Sequence, residues 1–145
     1  MKITLEPLRD GEEEEIIIRS DSLDPELMEL IYSLKAGRSR LTAYSGGDIV
    51  KLVPSEIYYF ESVDNRVCVC CEKNVYEVRQ KLYELEKIYD RTDFLRISKA
   101  MIVNVSKISK IAPLFNGRLE AHLNNGEKVI ISRQYVPDFK KKLGV

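Results

Sequence analysis

Apolar and polar residues change rhythm along this chain, and each change predicts a different element. Over residues 1–36 the pattern is mixed. Ile3 and Leu5 alternate with polar neighbours as in a short strand. The acidic run Glu12 to Glu15 leads into Ile16-Ile-Ile-Arg19, a β-branched stretch that predicts a second strand. Ser22 or Asp24 can cap a helix, with Pro25 in its first turn. Leu27, Leu30, Ile31 and Leu34 then recur at helical spacing, and Gly37 marks the stop. This is a strand–strand–helix unit too short to bury much core alone.

From Leu41 the rhythm becomes that of short strands. Residues 41–44 and 48–53 flank Ser45-Gly46-Gly47, a hairpin signal. Residues 57–63 form a strand, Asp64-Asn65 a turn, and residues 67–72 the return. Lys73-Asn74 turns again into 75–78. A helix then starts near Gln80, with Leu82, Leu85, Ile88 and Tyr89 as its apolar stripe. Residues 100–103 are strand-like and 105–109 a short helical or turn segment. A meander follows: 110–115, Asn116-Gly117, 118–123, Asn124-Asn-Gly126, 127–132. The chain closes in a short helix over 135–143, interrupted early by Pro137. Strands dominate from 41 to 132 with helices at the edges, which predicts a mainly β or α+β class. The division expected is 1–40 as an N-terminal β-β-α extension and 41–145 as the main domain.

Composition adds limits. With 145 residues, 44% apolar and 32% charged, the chain suits a folded domain and not a disordered segment. No apolar stretch approaches the roughly 20 residues of a membrane span, and residues 1–7 lack the apolar core of a signal peptide. The expected location is the cytoplasm. The zero net charge conceals an asymmetry. Residues 1–36 carry four Lys/Arg against ten Asp/Glu, residues 37–95 nine against ten, and residues 96–145 ten against three. A chain running from −6 through −1 to +7 hints at a polyanionic partner, although charges that merely solvate a surface leave the same trace.

Enzyme signatures are scarce. The one histidine, His122, lies mid-strand, where a pairing role is the ordinary reading. Ser45-Gly46-Gly47-Asp48 is too short for a phosphate-cradling loop. Cys68, Cys70 and Cys71 crowd one strand without a second ligand pair nearby, so they read as small packing residues before metal or redox groups. No catalytic residue, metal site or cofactor is expected, and no small-molecule substrate.

The polar residues at strand ends are more informative. They recur at Asp64-Asn65-Arg66, at Ser98-Lys99 and at Ser132-Arg133-Gln134. Asn, Gln, Arg and Lys are the residue types that read base edges and grip phosphates. Each site alone also reads as a solvated turn. Together with the basic final third they suggest one rim of a sheet facing nucleic acid. The run Phe94-Leu-Arg-Ile-Ser-Lys-Ala-Met-Ile-Val-Asn104 is the sharpest case. Phe94, Ile97, Met101 and Val103 are expected to be buttress, and Ser98 and Lys99 reader. Arg96 is left between a DNA contact and an internal ion pair.

Tyr59-Phe-Glu-Ser62, Asn65-Arg66, Leu82-Tyr-Glu-Leu-Glu86, the Phe94 to Asn104 run, Asn116-Gly-Arg118 and Ile131-Ser-Arg-Gln-Tyr-Val136 occur in the order seen in LytTR transcriptional regulators. Over about residues 41–143 the chain resembles that family. The resemblance implies an elongated arrangement of short antiparallel sheets with small flanking helices and no recognition helix. Loops of such domains enter successive major grooves and bend double-stranded DNA. The base-contacting positions fall on Asn65, Lys99 and Arg133, with Arg66, Ser98, Ser132, Gln134 and Tyr135 as supporting contacts. Asn65 stands where some members have histidine, and Lys99 where some have asparagine or arginine. Many members follow a phosphorylatable receiver domain. The 36 residues here are too few for one, so the chain looks like a stand-alone bacterial regulator. Its extension is a candidate for homodimerisation through Leu27, Leu30, Ile31 and Leu34, unless that stripe packs within the chain. A regulatory partner protein is a further expectation. The competing reading is a protein-interaction module in signalling that does not bind DNA.

Overall fold

The computed structural model describes residues 2–38 and 40–145. Two sheets carry the body. β1 (Leu41–Ser45) and β2 (Asp48–Leu52) pair around Gly46-Gly47, whose φ angles of 54° and 93° are those a two-residue hairpin loop needs. β3 (Ile57–Val63) and β4 (Arg66–Cys71) pair antiparallel around Asp64 and Asn65, with φ of 52° and 62°. Asp and Asn are the non-glycine residues that tolerate this left-handed region best. β5 (Val75–Val78), β6 (Phe94–Ser98) and β7 (Met101–Asn104) complete a seven-stranded sheet in the order β2-β1-β5-β4-β3-β7-β6. β8 (Ile108–Pro113), β9 (Leu119–Leu123) and β10 (Lys128–Ile131) form the second sheet, in the order β10-β9-β8. The helices are α1 (Pro25–Arg38), α2 (Leu82–Ile88) and α3 (Val136–Leu143). The predicted mainly β class with small helices and antiparallel sheets is what the structure has.

The strands alternate between two cores. Phe60, Val67 and Val69 face α2, where Leu85 and Tyr89 meet them. The rings of Phe60, Tyr89 and Phe94 pack with centroids 4.6–5.7 Å apart, a spacing that adds to the area each ring buries. On the other side, Tyr58, Ile97 and Val103 meet Ala121 and Ile131 of the small sheet and Phe139 of α3. The β6–β7 hairpin is therefore a shared wall. Phe94 and Ile102 enter the first core, Ile97 and Val103 the second. Buried Asn104 closes the wall's end: its amide donates to the Ile57 carbonyl at 2.8 Å, and its oxygen accepts from the Ser106 N–H at 3.1 Å. Tyr59 links the seven-stranded sheet to the segment before β10: its hydroxyl donates to Glu127 at 2.6 Å.

Four expectations need correction. The two N-terminal strands are absent: residues 2–20 hold only a turn at Asp10-Gly11, with the Glu12 N–H on the Arg9 carbonyl at 3.1 Å. Ile3, Leu5 and Ile17 there are 86, 94 and 65% exposed, so no packing rewards a ladder that is marginal by itself. Asp24 does cap α1, accepting from the Leu27 N–H at 2.8 Å, and the helix then runs to Arg38, past Gly37. Ile88 leaves the α2 stripe for solvent. Pro137 does not interrupt α3 but occupies its first turn, where a missing N–H costs nothing.

Candidate nucleic-acid interface

The Phe94 to Asn104 run is a tight hairpin, not a strand preceded by a loop. Lys99 and Ala100 form its turn, and the strand after it is Met101–Asn104. Ile97 anchors it, fully buried, while a bulge between Arg96 and Ser98 twists its tip. Arg96 answers the question the sequence left open. Its Nε donates to the Ser98 carbonyl and its guanidinium to the Lys99 carbonyl, each at 2.7 Å, and it lies 3.5 Å from Glu86. It is a brace for the turn. The Ser98 hydroxyl accepts from the Ala100 N–H at 3.2 Å. Lys99 projects from the braced turn into solvent.

Two other loops are tied to the same hairpin. The Ser62 N–H donates to the Ala100 carbonyl at 2.8 Å, which holds the end of β3 and its Asp64-Asn65 turn beside Lys99. The Ser132 N–H donates to the Ile97 carbonyl at 2.9 Å, which fixes the exit of β10 against β6. Arg133, Gln134 and Tyr135 then turn as a single 3-10 helix into α3, whose buried Phe139 locks them to the second core. Arg133 and Gln134 are exposed, Ser132 and Tyr135 half-buried.

Asn65 and Lys99 line one open depression, together with Ser62, Lys81, Tyr83 and Arg96, over a floor that includes Val67 and Leu82. Arg66 is exposed at the start of β4, next to that depression in sequence. Arg133 stands apart, its stem along the β8–β9 turn: a methyl built on Gly117 would lie 3.5 Å from its Cγ. Lys81 and Tyr83 belong to no strand-end motif; Tyr83 entered only as part of the Leu82 to Glu86 block of the resemblance, and Lys81 not at all. Two lysines of the basic final third have partners within the fold. Lys107 lies 5.3 Å over the Tyr58 ring, and Lys142 donates to the Thr92 carbonyl. Lys110, Lys140 and Lys141 are exposed.

The remaining candidate chemistry is structural. His122 sits 2.9 Å from Glu120, two residues away on the same face of β9. The three thiols are free, and burial pushes Cys70 and Cys71 up to about 11. No group of His, Cys, Asp and Glu among the described residues could hold a metal ion. No helix among them is long and apolar enough to cross a membrane.

Comparison with known proteins agrees with this geometry. A family model for the LytTr DNA-binding domain matches residues 47–144. The chain is 36% identical over 112 residues to the sensory transduction protein LytT of Enterococcus faecalis, covering 77% of this chain and 46% of that protein. It is 29% identical over 105 residues to an uncharacterized HTH-type transcriptional regulator of Staphylococcus aureus, covering 72% of this chain and 71% of that one. The chain thus spans about half the length of the LytT proteins it matches. A solved structure, the LytTr DNA-binding domain of a methyl-accepting/DNA response regulator from Bacillus cereus, superposes with a TM-score of 0.71 at 28% identity. It covers 75% of this chain and 100% of its own. With a braced hairpin, two loops tied to it and a family match over two thirds of its length, the chain belongs to the LytTr DNA-binding domain family.

Proposed function

We propose that this protein is a sequence-specific DNA-binding transcriptional regulator. Its loops contact bases in successive major grooves of double-stranded DNA. Asn65, Lys99 and Arg133 read base edges, and Arg66, Ser98, Ser132, Gln134 and Tyr135 hold register through phosphate and sugar. One observation carries the reading: two polar loops distant in sequence are tied by backbone hydrogen bonds to a third, the turn of the β6–β7 hairpin, whose strands reach into both cores. A rigid base is what lets a long side chain select one base edge. The protein acts as a homodimer on repeated sites. The exposed apolar side chains of its extension support that stoichiometry.

The test is selection of bound sites from a random DNA pool, followed by titration of the selected site. Arg133→Ala is expected to cost about 1–3 kcal/mol and to relax specificity at one base pair. Unchanged affinity and unchanged specificity in that variant would remove Arg133 from the reading set. No binding to any duplex at low salt would favour the second reading, a protein-interaction module. The exposed extension is the observation on its side.

A further inference from the structure

We infer that the depression between the β3–β4 and β6–β7 turns seats a phosphate of the DNA backbone, with Lys81 and Tyr83 as binding residues. The inference rests on the DNA-binding reading above and goes beyond its base-contacting loops. Three cations from separate elements meet at this depression: Lys81 before α2, Arg96 on β6 and Lys99 in the turn. The other polar groups around it, Ser62, Asn65 and Tyr83, are neutral, and no carboxylate lines it. Two acids contact its lining residues: Glu86 is turned to Arg96 at 3.5 Å, and Glu84 accepts from the Lys81 N–H at 3.0 Å. Such a setting favours a singly charged, multiply accepting group.

The roles divide. Arg96 is committed to the Ser98 and Lys99 carbonyls, so it positions the turn. Lys81 and Lys99 are both exposed. Lys81 also stands on a fixed base. Its N–H donates to the Glu84 carboxylate at 3.0 Å, its carbonyl accepts from the Glu84 N–H at 3.0 Å, and the next residue, Leu82, is buried. Tyr83 is 62% exposed and belongs to neither core, so packing does not account for it. Its hydroxyl is a neutral donor of the kind that grips phosphate oxygens. A phosphate held here, between Asn65 and Lys99, would set the register of both readers at once.

The experiment uses the full chain and the selected duplex, titrated over a range of salt. Lys81→Gln is expected to weaken binding to the selected duplex and to random duplex by the same factor, about three- to tenfold. It should also flatten the dependence of log Kd on log salt by about one. Tyr83→Phe should weaken both duplexes about twofold without changing the slope. In a scan of single methylphosphonate substitutions, one position should weaken the wild-type protein and leave Lys81→Gln unaffected. Unfolding midpoints check that both variants are folded. If Lys81→Gln binds both duplexes as wild type does, with an unchanged slope, while Arg133→Ala loses affinity, the seat is wrong and the DNA-binding reading stands. If the wild-type protein binds no duplex, both fall. Saturable, Lys81-dependent binding of inorganic phosphate without DNA would make this a small-anion site and overturn its assignment to the duplex.

Discussion

Residues 16–18 and residues 57–63 carry similar β-branched and apolar stretches, yet only the second is a strand. Ile17 is 65% exposed, whereas Ile57 and Phe60 are fully buried. Local propensity is comparable; the surroundings differ. β3 lies between β4 and β7 and shows apolar side chains to two cores. Residues 2–20 have no sheet beside them and no core beneath. A strand is stabilised by its neighbours far more than by its own residues. In this molecule the same kind of sequence is scaffold in one place and an unpaired surface in another.

The largest test of that contrast is Phe60→Ala. It empties the centre of the aromatic cluster and should cost about 3–5 kcal/mol, read from the urea midpoint. A loss below about 1 kcal/mol would mean that this core is loosely packed. Next is Asn104→Ala, which strands the Ile57 carbonyl and the Ser106 N–H. It should cost about 1–3 kcal/mol by the same measurement and should loosen the hairpin that carries Lys99.

A smaller effect follows from the buried thiols. Cys70 and Cys71 are raised from 9.0 to about 11 by burial, so the unfolded chain ionises first as pH climbs. Their contribution to stability is full below about pH 9 and is lost as pH rises towards 11. The doubly substituted Cys70→Ala/Cys71→Ala protein should show a shallower alkaline loss than wild type in pH-dependent unfolding. Parallel curves would remove the thiols from that account.

The smallest effect belongs to the extension. Ile17→Ser should shift the unfolding midpoint of dilute protein by less than about 0.5 kcal/mol. If the extension mediates dimerisation, the same change should lower the concentration dependence of Tm and move sedimentation towards monomer. A core-sized loss in dilute protein would show that residues 2–20 pack on the body after all, and the comparison with β3 would collapse.

Much of this was legible before any coordinates, wherever the cause is local. Gly46-Gly47 and Asp64-Asn65 favour positive φ by their own chemistry, so the two hairpins follow from the residues alone, although the pairing takes in Ser45 and Arg66, which the sequence pattern left outside the strands. The span of β3 and of β5, the α2 stripe at Leu82, Leu85 and Tyr89, and the cap at Asp24 follow from period and capping in the same way. The five-residue loop around Asn116-Gly117 shows where a local cue reaches its limit. It marked a turn between β8 and β9 but not its length, which the pairing of Pro113 with Leu119 sets.

What the chain could not announce is everything that depends on two distant segments meeting. Asn65 and Lys99 share a depression because Ser62 bonds to Ala100 across the β3–β7 pairing. Arg96 is a brace because a bulge turns the Ser98 and Lys99 carbonyls towards it, and no spacing rule predicts that. Lys81 and Tyr83 reach the depression that Asn65 and Lys99 line only when α2 packs on β3. Ile16 to Ile18 lose their strand because neither sheet and neither core takes them up. The sequence by itself determined turns, periods and caps, which are decided within a few bonds of each residue. Tertiary structure decided which ends gather and which apolar runs stay bare, because burial and hydrogen-bond partners come from elsewhere in the chain.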